Sequence, residues 1–111
     1  MSPLLPDEVK YVSKESIRHM FNESQYPSMI KKGELLPKFL RNIHLTRPEE
    51  KGEPYCTRSQ MIRYSDKAGN WVVEVHQYFR PDETIGASGS PDPKRLRIGN
   101  TVFAVDIQRH S

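Results

Sequence analysis

The sequence predicts an α+β fold, with short N-terminal helices packed on an antiparallel sheet of three to four strands. Three observations lead there. Apolar residues recur at helical spacing between residues 13 and 45, and side chains alternate with the period of a strand from residue 57 onward. Nothing between those later strands is long enough for a crossover helix, which argues against a parallel sheet. A chain of 111 residues is one domain with a single modest core. A charged fraction of 28% and nine prolines describe a loop-rich globular protein rather than a disordered one.

Taken in order, residues 1–12 carry Pro3 and Pro6 and read as an extended arm. Ser13 offers a helix N-cap, with Glu15 in the first turn, where the helix dipole favours a negative charge. Ile17, Met20 and Phe21 form the apolar stripe of a short helix to about Gln25, which Pro27 stops. Ser28 to Lys32 makes a further helical turn, ended by Gly33. Pro37 can open a third helix to His44, with Leu36, Phe39, Leu40 and Ile43 inward and Lys38 and Arg41 toward solvent. The helical part thus spans 13–45, and the charged Pro/Gly loop 46–56 separates it from a sheet part, 57–107. Residues 57–64 alternate loosely, and SDKAGN (65–70) turns the chain into Trp71. A last strand covers 102–107, with Phe103, Val105 and Ile107 inward, and 108–111 reads as a frayed tail.

The stretch from Trp71 to Arg97 holds most of the polar chemistry. Alternation puts Trp71, Val73, Val75 and Phe79 on one face of a strand, interrupted by Gln77. Val72, Glu74, His76, Tyr78 and Arg80 fall on the other. Such a row suits a ligand site or a plain solvated face. Pro81 ends the strand. Gly86 to Gly89 can cradle an anion on its backbone N–H groups or simply let the chain reverse. Asp92-Pro93 looks like a cap followed by proline at the first helical position, opening a helical turn through Leu96. The competing reading makes 94–98 a strand joined to 101–107 by a Gly99-Asn100 hairpin. The local cap signal favours the helical turn.

The segment GNWVVEVHQYFRPDETIGASGSPDPKRL resembles a pattern at the C-terminal end of small bacterial proteins of unknown function. There the strand ends in His-Gln-Tyr, followed by Arg-Pro-Asp-Gly, Gly-x-Ser-Gly and Pro-Asp-Pro-Lys. This chain carries His76-Gln77-Tyr78, Arg80-Pro81-Asp82, Gly86-Ala87-Ser88-Gly89 and Pro91-Asp92-Pro93-Lys94. Glu83 stands where that pattern has glycine, which implies a looser turn after Asp82. The resemblance implies a small stand-alone domain and carries no activity with it.

Composition narrows the function classes. The formal charge of +3 is spread thinly, and only Lys94, Arg95 and Arg97, with Arg80, cluster. No apolar run approaches the ~20 residues of a membrane helix, and the first residues do not read as a signal peptide. The single Cys56 forms no internal disulfide, and the expected address is the cytoplasm. His19, His44, His76 and His110 lack the spacing of a metal module, so neither metal nor cofactor is expected. Three roles remain. The first is a binding module for an anionic ligand or nucleic acid, using His76, Tyr78, Arg80, Lys94, Arg95 and Arg97. The second is a protein-interaction or adaptor domain, or a homodimer, using the 35–43 segment or a sheet edge. The third is metal-independent ribonuclease-like catalysis, with Glu74, His76, Arg80 and Lys94 as acid, base and phosphate cations. Binding ranks ahead of catalysis because it needs no tuned acid–base pair.

Overall fold

Strand pairing organises this chain more than helix packing does. The computed structural model describes residues 8–86 and 89–106. Its strands are β1 (Glu8–Val12), β2 (Leu36–His44), β3 (Arg58–Ser65), β4 (Trp71–Phe79), β5 (Asp92–Ile98) and β6 (Thr101–Val105). They form one sheet in the order β1-β6-β5-β4-β3-β2. Two helices, α1 (Lys14–Glu23) and α2 (Tyr26–Lys31), lie between β1 and β2 in the chain. The α+β class therefore holds, but the sheet has six strands rather than three or four, and it is mixed. Residues 8–12, expected as part of an arm, run parallel to β6 instead. The helices and all the later strands intervene between β1 and β6, so the long connection that a parallel pair requires is present.

The helices form where capping and apolar spacing place them. The Ser13 Oγ accepts the N–H of Ser16 at 3.1 Å, and α1 buries Ile17 and Phe21. Pro27 lies in the first turn of α2 rather than ending α1, at a position where its missing N–H has no helical partner to lose. Gly33, at φ +73°, closes α2, and the Glu34 N–H reaches the Met29 carbonyl at 2.8 Å. Ile17, Phe21 and Leu35 pack with Ile62, Val73, Val75, Leu96 and Val105 into one core. Because α1 rests on β5 and β6, the β2 end of the sheet extends past the helices. Every residue of β2 is exposed.

Three sequence expectations are corrected. Residues 36–44 are a strand, not a helix. They pair with β3 from Leu36↔Ser65 to His44↔Arg58, with a bulge between Phe39 and Arg41. The added residue breaks the two-residue period, so the apolar positions fall at spacings that imitate a helix. Residues 92–98 are a strand, not a helical turn, and Gly99 (φ +60°) and Asn100 form the two-residue connection to β6. Pairing buries Leu96 completely between Val73 and Phe103, which outweighs a local cap. Pro93 is tolerated because β6 pairs with β5 only from Arg95 onward. Finally, a register shift between Tyr64 and Ser65 opposes Trp71 to Ser65. Trp71 then meets Arg63 and Arg97 instead of joining Val73 in the core. Of the predicted inward residues of the last strand, Phe103 and Val105 pack on the core, whereas Ile107 and the 108–111 tail lie outside the described residues.

Candidate functional site

Directly opposed residues of adjacent strands share a face, so the register assembles the site. Three rows cross β2, β3 and β4: Lys38–Arg63–Glu74, Arg41–Met61–His76 and Ile43–Ser59–Tyr78. β5 adds Arg95 opposite Glu74 and Asp92 opposite His76. On the other face, a ladder of amides joins the same strands. Gln77 donates to the Gln60 carbonyl oxygen at 2.7 Å, and Gln60 donates to that of Asn42 at 3.2 Å. That ladder holds β2 to β3 and β4 beyond the reach of the helices.

His76 lies at the centre of the rows. Its Nε2 is 2.8 Å from the Ser59 hydroxyl, and the Tyr78 ring meets it edge-on with centroids 4.9 Å apart. Burial, reinforced by the charges of Lys94 and Arg41 and opposed by Asp92, holds its pKa below the ordinary imidazole value. The ring is therefore neutral near pH 7. Asp92 accepts bonds from Arg18 Nε at 2.9 Å and Lys94 Nζ at 3.0 Å. Desolvation pushes its carboxyl upward, but those two donors outweigh it and leave the pKa below the usual carboxylate range.

Glu74, Arg80 and Arg97 have partners elsewhere. Arg63 grips Glu74 through Nε at 2.7 Å and Nη2 at 2.6 Å. Arg80 forks onto Glu53, with Nε at 2.7 Å and Nη2 at 3.4 Å. The Glu53 side chain is only 2% exposed and lies against Gly86. The anion beside Gly86 is thus the chain's own carboxylate, while Ala87 and Ser88 lie outside the described residues. The Arg97 guanidinium stacks 5.2 Å from the Trp71 ring centre, with that of Arg63 at 5.9 Å. The turn after Asp82 is tight despite Glu83, which adopts φ +69° while its N–H bonds the Arg80 carbonyl at 2.8 Å.

Of the sequence candidates, His76, Tyr78 and Lys94 therefore act on one neighbourhood, Glu74 joins its face in another ion pair with Arg95 opposite it, and Arg80 and Arg97 are taken up by Glu53 and Trp71. Sequence reasoning missed Lys38, Arg41 and Ser59. The available signal was charge: residues 36–44 and 58–65 hold Lys38, Arg41, Arg58 and Arg63 and no acidic side chain.

Elsewhere, a shallow cleft of about 640 Å³ lies between α1, α2 and Ile98, lined by His19, Met20, Tyr26 and Met29. It gathers no set of convergent charges. Among the described residues no group of three or more His, Cys, Asp and Glu is placed to hold a metal, and no helix is long and apolar enough to cross a membrane. Compared with protein-family models, curated proteins and solved structures, the chain matches none.

Proposed function

We propose that the protein is a small binding module for an anionic partner, received on the outer half of the sheet formed by β2, β3 and the His76 end of β4. One observation carries this. Four cations and no acids occupy β2 and β3, and among the described residues Lys38 and Arg41 are exposed and form no ion pair. Arg63 already answers Glu74, and Arg58 lies on the opposite face beside Asn42, so the outward field of this face comes from Lys38 and Arg41. His76, Ser59 and Tyr78 add neutral donors, acceptors and a ring face beside Arg41.

Catalysis finds less support in this geometry. All four groups that a metal-free ribonuclease would use are engaged internally: His76 with Ser59, Glu74 with Arg63, Arg80 with Glu53, and Lys94 with Asp92. Freeing them would cost contacts that hold strands and loops together.

The test is fluorescence anisotropy of labelled polyglutamate and of oligothymidylate across a salt series. Binding of at least one polyanion is expected, with log affinity falling linearly against log salt. The double variant Lys38→Glu/Arg41→Glu should weaken it roughly tenfold, through lost attraction and added repulsion. An affinity indifferent to salt, or equal in the two proteins, would overturn the proposal.

A further inference from the structure

We infer that the anionic partner is an extended polypeptide segment rich in Asp and Glu, which adds a strand to the free edge of β2; this rests on the anion-binding reading above and names its partner. β2 ends the strand order, so among the described residues its outward backbone N–H and C=O groups face no neighbouring strand. All nine of its residues are exposed. A row of main-chain donors and acceptors is matched by another extended chain, and not by a phosphate backbone.

Side chains point the same way. Leu36, Phe39, Leu40 and Ile43 are 42–57% exposed along this edge. Three of the four are aliphatic, which suits the apolar side chains of an added strand better than nucleobases, whose sites rely on aromatic stacking. Lys38 and Arg41 interleave with them and project on the same face as each other, because the bulge at Leu40 restores their parity. An acidic, amphipathic strand meets both demands at once.

The same features disfavour a second copy of this chain. Pairing β2 with another β2 would bring Lys38 and Arg41 of each against those of the other, with no acid on either strand to compensate. Pro37 and the bulge are devices that keep edge strands from pairing indiscriminately. The regular stretch after the bulge, 41–44, is then where an added strand would run, with Lys38 as a flanking charge.

The experiment titrates the full chain with three probes: a short peptide alternating Glu and Val, its Lys–Val counterpart, and oligothymidylate. Binding is read by anisotropy, and amide hydrogen exchange by NMR. The Glu–Val peptide is expected to bind most tightly and to slow exchange at alternate amides of β2. Lys38→Glu/Arg41→Glu should weaken it about tenfold and gain affinity for the Lys–Val peptide. Arg41→Gln, a milder change at an exposed position, should give a smaller loss in the same direction and guards against misfolding of the double variant. Binding of the Glu–Val peptide without new protection on β2, or no preference over Lys–Val, would overturn strand addition. Oligothymidylate bound in preference to the peptide would overturn the inference and leave the anion-binding module standing. No binding of any probe at low salt would overturn both.

Discussion

Replacing Gly86 by Ala asks whether the loop after β4 is sealed by the chain's own carboxylate. A Cβ at Gly86 would lie 2.6 Å from Cδ of Glu53, and against both of its oxygens. That carboxylate is buried and held by Arg80 Nε at 2.7 Å, so it cannot yield without leaving its partner. Gly86 does not adopt a left-handed φ, so alanine adds no backbone strain and the overlap alone is tested. Overpacking of this kind costs about 1–3 kcal/mol. For a domain near this size, that lowers Tm by roughly 4–12 °C. Urea and thermal unfolding of wild type, Gly86→Ala, Glu53→Ala and the double variant form a cycle. Glu53→Ala vacates the space, so the two sites should couple by about 1 kcal/mol or more. An identical cost in both backgrounds, or a wild-type cost within about 0.5 kcal/mol, would show that Glu53 does not fill the loop.

Two further outcomes rest on local chemistry. His76 is held below the ordinary imidazole pKa by burial first, with Lys94 and Arg41 adding to it and Asp92 opposing. Since the fold favours the neutral ring, this contribution is present above the unfolded pKa and is lost as pH falls from about 6.5 through the lower folded value. Urea midpoints at about pH 7.5 and about pH 5.5 should therefore drop further in wild type than in His76→Gln, and equal drops would refute the assignment. Glu83 carries a left-handed φ of +69° that glycine adopts without strain. Glu83→Gly should raise stability by up to about 1 kcal/mol in thermal unfolding, and a loss would mean that the Glu83 side chain supports the turn.

What was legible in the sequence was local. The Ser13 cap, the Ile17 and Phe21 stripe and the alternation from Val73 to Phe79 each arise from spacing within one element. So does the Asp66 turn, where the carboxylate accepts the Ala68 and Asn70 N–H groups at 3.0 Å each. His76 and Tyr78 could be placed on one face of a strand for the same reason. β1 was not legible, because Glu8–Val12 is five residues long and becomes a strand through the edge that β6 offers it. The partners that consume Arg80 and Arg97 also come from afar: Glu53 lies in a preceding loop, and Trp71 changes face through its register.

Two of the larger misreadings, those of β2 and of Trp71, share one cause, and it also builds the site. Register shifts occur between Phe39 and Arg41, between Tyr64 and Ser65, and between Glu74 and Val75. Each adds one residue to one strand and reverses the parity of the residues beyond it. The first makes β2 imitate a helix, yet it also sets Lys38 and Arg41 on one face. The second takes Trp71 out of the core and sets it between two guanidinium groups. The third brings Asp92 opposite His76, with Lys94 as the extra residue, so that both charges bear on the imidazole. A bulge is decided by which residues a neighbouring strand buries, and here those neighbours are distant in sequence or in a different element. Periodicity within a strand therefore cannot reveal it. Deleting Leu40 would remove the first bulge yet leave Lys38 and Arg41 two positions apart on one face, whereas flattening the bulge with Leu40 kept would turn Arg41 away, so the charged edge depends on an irregularity that sequence period alone reads as noise.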